Sequence, residues 1–126
     1  MKIVFLSAVA AGALMTLASP ALAADPGHGQ EVFRAQCGLC HKGGADDGEG
    51  GQGPALKGLI GRKLAGDPDF AYTPAFQDAK GAPWSEASLS AFLADPQKSV
   101  PGTAMPIKVG SETDRADLAA YLASVK

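Results

Sequence analysis

The sequence predicts one small all-α domain from its apolar spacing, its helix-capping residues and its lack of strand patterns. Leu118, Tyr121, Leu122 and Val125 follow the i, i+3, i+4, i+7 spacing of one helix face. The chain holds 16 glycines and 9 prolines among 126 residues, which limits regular structure to short elements. No segment shows a convincing alternation of apolar and polar residues with β-branched side chains, as expected of a half-buried strand. We therefore expect helices joined by loops.

Three main helices are predicted in order along the chain. The first covers residues 29–40 and carries apolar side chains at helical spacing. Ser85 is a candidate N-cap for the second, which ends before Pro96. Ser111 opens the last helix, with an acidic residue three positions on. The connections are a glycine-rich acidic loop over 42–53 and a short helical turn over 56–60.

The first 23 residues have the form of a bacterial secretory signal peptide. Lys2 precedes an apolar run over 3–18, Pro20 stops any helix, and residues 21–23 have the small-x-small pattern of a cleavage site. Cleavage after Ala23, or after Ala24, would release the mature domain, 24–126, into the periplasm. The alternative is an uncleaved anchor, although the run is short of the ~20 residues needed to span a bilayer.

The charge of the mature domain disfavours nucleic acid as a partner. Without Lys2 the chain has 10 basic and 13 acidic side chains, a net charge of −3 with neutral histidines. It contains no basic run and no patch of interleaved basic and aromatic residues. A domain of about 100 residues buries a modest core, and a bound cofactor is one way to supplement it.

The segment CGLCH holds the chain's only two cysteines, Cys37 and Cys40, next to His41. A Cys37–Cys40 disulfide would close a tiny loop and restrict the unfolded chain little. A redox dithiol needs a preceding strand, and structural zinc needs four protein ligands. Covalent haem fits better, because two thiols on one turn can each add to a porphyrin vinyl group while the histidine binds iron. The export signal favours the same hypothesis.

The second axial ligand is predicted to be Met105. The mature domain has a single methionine, and it lies in a loop stiffened by Pro101, Gly102 and Pro106. Most methionines fill gaps in a core, but a lone thioether in such a loop, far along the chain from the cysteines, suits a distal ligand. His28 is the competing candidate, and its place near the start of the first helix favours exposure to solvent.

Nearly the whole mature domain, from Gly29 to Leu122, resembles class I c-type cytochromes, in the branch of mitochondrial cytochrome c and bacterial cytochrome c2 or c550. The matching residues occur in the family's order: CGLCH, Gly53-Pro54, Arg62, Tyr72, Trp84, Pro101-Gly102-Thr103-Ala104-Met105 and Tyr121. The resemblance implies a cytochrome c fold wrapped around one haem c attached through Cys37 and Cys40, with iron bound by His41 and Met105.

The resemblance also implies roles for five further residues. The Pro54 carbonyl would accept a hydrogen bond from the histidine nitrogen that faces away from iron. Arg62, Tyr72, Trp84 and Thr103 would address the haem propionates. Some features depart from the family: Phe92 and Phe76 replace polar residues near the haem, and Gln97, Ser99 and Ala104 stand where lysines are familiar. Gly29 is expected opposite Tyr121 at the crossing of the first and last helices.

The implied function is that of a soluble, monomeric periplasmic electron carrier rather than an enzyme. Its expected partners are redox proteins: a donor such as a quinol–cytochrome c reductase or dehydrogenase, and an acceptor such as a terminal oxidase or photosynthetic reaction centre. Two rivals stay open. One is a haem enzyme or gas binder with an open iron position, for which Lys108 is the polar candidate in the methionine loop. The other is a haem-free protein with a Cys37–Cys40 disulfide.

Overall fold

The computed structural model describes residues 22–44 and 47–126, so most of the predicted signal peptide lies outside the described residues. Within those ranges the chain forms helices and no strand, which confirms the all-α prediction. No helix there is long and apolar enough to cross a membrane. The helices are α1 (Pro26–Gln36), α2 (Pro74–Asp78), α3 (Glu86–Ala94), α4 (Pro96–Ser99) and α5 (Glu112–Ser124).

Helix α1 begins and ends earlier than its apolar spacing predicts. Asp25 caps it by accepting hydrogen bonds from two backbone N–H groups at 2.8 and 3.3 Å, and Pro26 supplies a φ suited to the first turn. After Gln36 the chain continues as turns, with the N–H of Cys40 bonded to the Cys37 carbonyl at 3.1 Å. The cysteine pair therefore lies on a turn just beyond the helix.

Helices α1 and α5 cross in close contact at Gly29. A Cβ at this position would collide with the backbone carbonyl of Asp117, so only glycine permits the approach. The predicted glycine lies at this crossing, where its nearest neighbours are the backbone atoms of Asp117 and Leu118, within one turn of Tyr121. The Tyr121 ring packs against Phe33, with ring centroids 5.6 Å apart.

Two short helices were not predicted. Both α2 and α4 begin with a proline that follows an N-cap position, Thr73 for α2 and Asp95 for α4. The predicted caps of the longer helices are confirmed: Ser85 accepts from the Ser88 N–H and Ser111 from the Asp114 N–H, both at 3.1 Å. The predicted helical turn over 56–60 is a pair of hydrogen-bonded turns rather than a helix.

The core is apolar and is shared between the two long helices and α3. Its fully buried members include Phe33, Leu118 and Leu122. Some core side chains also form the wall of a cavity, so the packing of the helices fixes the shape of that cavity. Leu59, Leu89, Phe92, Leu93, Leu118 and Leu122 have this double role.

Candidate functional site

The cavity has a volume of about 370 Å³ and is mostly apolar. This size is in the range of sites that bind small molecules and cofactors. Among the residues that the structure describes, no Lys, Arg, Asp or Glu side chain lines it. Eight of the nine predicted site residues do: Cys37, Cys40, His41, Pro54, Tyr72, Trp84, Thr103 and Met105.

His41 is held in one orientation at the cavity. Its Nδ1 lies 2.7 Å from the carbonyl oxygen of Pro54, and because a carbonyl only accepts, Nδ1 carries the proton. The ring also lies against Gly53, where a Cβ would overlap it. Burial lowers the pKa of His41, and the bond to Pro54 offsets this in part. The result is a neutral imidazole whose Nε2 lone pair is available to a metal.

Cys37 and Cys40 are both free thiols at the cavity wall. Cys37 is buried, and burial, followed by the nearby Cys40, raises the pKa of Cys37 to about 11. The pair is not joined in a disulfide. Within the described ranges, no group of three or more His, Cys, Asp or Glu side chains is placed to hold a metal ion, so the zinc alternative gains no support there.

Met105 enters the cavity from the segment between α4 and α5. It is half-buried and packs against the core, and its N–H donates to the Thr103 hydroxyl at 3.3 Å. Thr103 itself is only 5% exposed. Gly102 makes the preceding turn with a φ of +89°, a conformation that suits glycine. Sixty-four positions separate His41 from Met105, yet both line the same cavity.

Aromatic rings form a continuous wall of the cavity. Tyr72 contacts Phe70 and Phe76 at centroid distances of 5.0 and 5.9 Å, and Phe92 contacts Phe76 and Trp84 at 5.7 and 5.4 Å. All five residues line the cavity. A flat aromatic macrocycle matches such a wall because rings favour stacked and edge-on contacts with one another.

Arg62 is the predicted site residue that does not line the cavity. Its guanidinium donates to the Ala55 carbonyl at 2.5 Å. Backbone bonds nevertheless keep it beside the site, since the Trp84 N–H donates to the Arg62 carbonyl at 2.9 Å. Tyr72 does line the cavity, and its hydroxyl oxygen accepts a hydrogen bond from the Asp67 N–H at 3.2 Å.

Thr73 is a cavity residue that sequence reasoning missed. Its hydroxyl oxygen is buried and has no hydrogen-bond partner, the one such side-chain atom found in the described part of the chain. Thr73 occupies the N-cap position of α2 but makes no capping bond. A buried hydroxyl without a partner is costly and indicates a group that the protein alone does not supply. A carboxylate in the cavity would fit this requirement.

A second missed residue, Asp47, anchors the glycine-rich loop that follows His41. Its buried carboxylate accepts from Gln30 at 2.6 Å, from Arg34 at 2.8 Å and from the Tyr121 hydroxyl. The bonds from Gln30 and Tyr121, with a further one from Arg34, lower the pKa of Asp47 to about 2. The carboxylate therefore ties the loop to both α1 and α5.

Comparison with known proteins agrees with this geometry. Residues 27–126 match the family model for cytochrome c. The chain is 43% identical over 102 residues to cytochrome c of Tetrahymena pyriformis, covering 80% of this chain and 89% of that one. It is 38% identical over 118 residues to cytochrome c2 of Rhodomicrobium vannielii, covering 93% and 92%.

A solved structure gives the same result in three dimensions. Cytochrome c2 from Rhodobacter sphaeroides superposes with a TM-score of 0.73 at 28% identity, covering 81% of this chain and 96% of that one. The chain therefore belongs to the cytochrome c family: haem c is its cofactor and electron transfer is its function.

Proposed function

We propose that the protein is a periplasmic carrier of single electrons between redox proteins, and not an enzyme. In this proposal one haem c is attached through Cys37 and Cys40, and its iron is bound by His41 and Met105. The observation that carries the proposal is the convergence of His41 and Met105 on one apolar cavity that also contains both thiols.

Two protein ligands would leave the iron no open position, which suits electron transfer rather than substrate binding. The bound haem would supply a reversible one-electron couple at iron. The protein's contribution is to hold both ligands, exclude water and fix the surroundings of the ring. Lys108, the polar candidate for a haem enzyme, does not line the cavity and donates to Asp95 at 2.8 Å instead.

Each remaining predicted residue has a role that follows from its place. Pro54 fixes the proton of His41 on Nδ1, so that Nε2 binds metal. Tyr72, Trp84, Thr103 and the newly found Thr73 offer hydrogen-bond donors to the propionates, which need partners when buried. The Arg62 guanidinium uses one of its five N–H donors on the Ala55 carbonyl, so the others would be free to donate to a propionate, although Arg62 does not line the cavity.

The location and partners rest on the sequence. The signal-peptide pattern over residues 1–23 supports export, and haem attachment of this kind suits an exported protein. The proposed donor is a quinol–cytochrome c reductase or a dehydrogenase, and the proposed acceptor is a terminal oxidase or a reaction centre.

The test is a haem stain and an absorption spectrum of protein expressed with export to the periplasm. The wild type should retain haem on a denaturing gel and should show, when ferric, the weak far-red band of iron–thioether ligation. Cys37→Ala/Cys40→Ala should lose the covalent haem, and Met105→Ala should keep the haem but lose the far-red band. Full covalent attachment in the double variant, or the band surviving in Met105→Ala, would contradict the proposal.

A further inference from the structure

The segment that carries Met105 has little backbone support of its own. Among residues 101–108 in the described structure, Thr103 is the one whose N–H bonds to a backbone carbonyl, that of Val100 at 3.0 Å. Pro101 and Pro106 have no N–H to donate. We call residues 101–108 the methionine loop. Other groups must hold this loop in place, because an irregular segment without internal bonds opens easily.

Side chains from α4 supply that support. The Gln97 amide donates through Nε2 to the Thr103 carbonyl at 2.6 Å, and its Oε1 accepts from the Gly102 N–H at 3.3 Å. One planar group thus bonds two consecutive residues, just ahead of Met105. On the other side of Met105, Lys108 donates to Asp95 at 2.8 Å. The first turn of α4 and its cap therefore hold the methionine loop at both ends.

Helix α4 is a firm base for these contacts although it is short. The side chain of Pro96 is fully buried, and Val100 is 6% exposed in the core. Asp95 caps the helix by accepting from the Lys98 N–H at 3.2 Å. Gln97 itself is exposed, so its position is set by the anchored helix beneath it rather than by burial.

We propose that Gln97 is a positioning residue for the distal iron ligand, holding the methionine loop closed. This inference rests on the proposed function, in which Met105 binds iron. The Gln97 amide stabilises the closed loop relative to an open one in which Met105 has left the iron. An outside ligand binds only the open form, so its apparent affinity rises in proportion to the open fraction.

The experiment is a titration of the ferric holoprotein with imidazole, which competes with the thioether for iron. Gln97→Ala removes both bonds, and Gln97→Glu keeps the size and the acceptor but loses the donor to Thr103. Two hydrogen bonds of ordinary strength correspond to about a thirtyfold rise in apparent imidazole affinity for Gln97→Ala. The apparent imidazole affinity of Gln97→Glu should rise as much or more, because its carboxylate would face the Thr103 carbonyl and the two oxygens would repel each other.

Lys98→Ala is the matched control, since Lys98 is the next residue on α4, is exposed, and its side chain forms no hydrogen bond in the described structure. It should bind imidazole as the wild type does. Denaturant unfolding, followed by helical circular dichroism, should match the wild type for Lys98→Ala. For Gln97→Ala the loss of stability should be no greater than its rise in imidazole affinity corresponds to, because both report the same two bonds. That combination separates opening of one loop from general destabilisation.

Met105→Ala separates failure of this inference from failure of the proposed function. If Met105→Ala binds imidazole more tightly than the wild type but Gln97→Ala matches Lys98→Ala, the role of Gln97 is refuted and Met105 ligation stands. If the stability lost by Gln97→Ala far exceeds the amount that its rise in imidazole affinity accounts for, the substitution acts on the whole fold and the positioning role is also refuted. If Met105→Ala binds no more tightly than the wild type, Met105 ligation itself is refuted.

Discussion

The Thr73 hydroxyl occupies a helix N-cap and yet caps nothing. At such a position a threonine oxygen usually accepts from a backbone N–H two or three residues on. Here the oxygen is buried without a partner and the residue lines the cavity. The fold thus leaves a capping bond unmade and a buried hydroxyl unpartnered at a residue that lines the site. This is a local cost that a carboxylate of the bound cofactor would offset.

Replacing Thr73 tests whether its hydroxyl is hydrogen-bonded to such a carboxylate in the holoprotein. We expect Thr73→Val to lower the unfolding free energy of the holoprotein by about 1–2 kcal/mol, because a hydrogen bond to a charged group is lost. Thr73→Ser keeps the hydroxyl and should stay near the wild type. Denaturant unfolding of the three holoproteins is the measurement. Equal or greater stability of Thr73→Val would show that the hydroxyl has no partner in the holoprotein either.

The starts of the helices show how much of the secondary structure local sequence signals can predict. Of the five helices in the described ranges, three begin with a proline directly after the cap position: Asp25-Pro26, Thr73-Pro74 and Asp95-Pro96. Apolar spacing together with the Ser85 and Ser111 caps predicted α3 and α5 well, whereas spacing misplaced α1 and missed α2 and α4. A helix of four or five residues is too short for a 3.6-residue period to show, so its cap and proline are the signal that remains.

Long-range polar contacts mark the limit of sequence reasoning at the site. The residues of CGLCH, Pro54 and Met105 were found because their side-chain chemistry is distinctive and their order matches a family. Asp47 was missed because its partner Tyr121 lies 74 positions away, and nothing local marks one carboxylate of an acidic loop as buried. The bond from Arg62 to Ala55 was missed because it depends on how a long side chain packs.

The crossing of α1 and α5 includes a titratable pair. His28 Nδ1 lies 2.8 Å from a carboxylate oxygen of the buried Asp117, whose other oxygen accepts from the Asp25 N–H at 2.7 Å. This bond to Asp117, partly opposed by desolvation, raises the pKa of His28, and the charges of Asp114 and Glu31 add to the rise. His28 is therefore a structural contact between two helices, although its ring remains partly exposed.

We expect this pair to make stability depend on pH near neutrality. Because the folded pKa is raised, the stabilisation is fully present below the unfolded value of about 6.5 and is lost as the pH rises through the folded value. The unfolding free energy of the holoprotein should thus fall from slightly acid to slightly alkaline pH. Denaturant titrations at a series of pH values would measure it. His28→Gln should flatten this part of the profile, and an unchanged slope would assign it to another group.

The charge distribution of the whole molecule bears on how it meets a redox partner. Gln97 and Ala104, at two positions where the resemblance leads one to expect lysines, are uncharged, and no described Lys, Arg, Asp or Glu lines the cavity. Ile107, a cavity residue, is 39% exposed, and Leu39, between the two cysteines, is 68% exposed. Lys108 is engaged with Asp95. The lining of the cavity therefore offers a partner no described Lys, Arg, Asp or Glu side chain and some exposed apolar surface.

Docking on such a surface should depend little on salt. Electrostatic steering raises association rates by orders of magnitude at low ionic strength and is screened as salt is added. We expect electron transfer to a mitochondrial-type oxidase that presents an acidic docking site to be slow and to change only mildly with ionic strength. Ala104→Lys places a cation at an exposed cavity position and should both speed the reaction at low salt and steepen its salt dependence. Stopped-flow measurements over a series of ionic strengths would give the rates of both proteins.

A steep fall in the wild-type rate with rising salt would contradict this expectation. Unpaired charges near the docking surface are the ones that steer an approaching partner. Such a fall would therefore show that lysines outside the cavity, such as Lys57, Lys63 and Lys98, already form an effective basic patch.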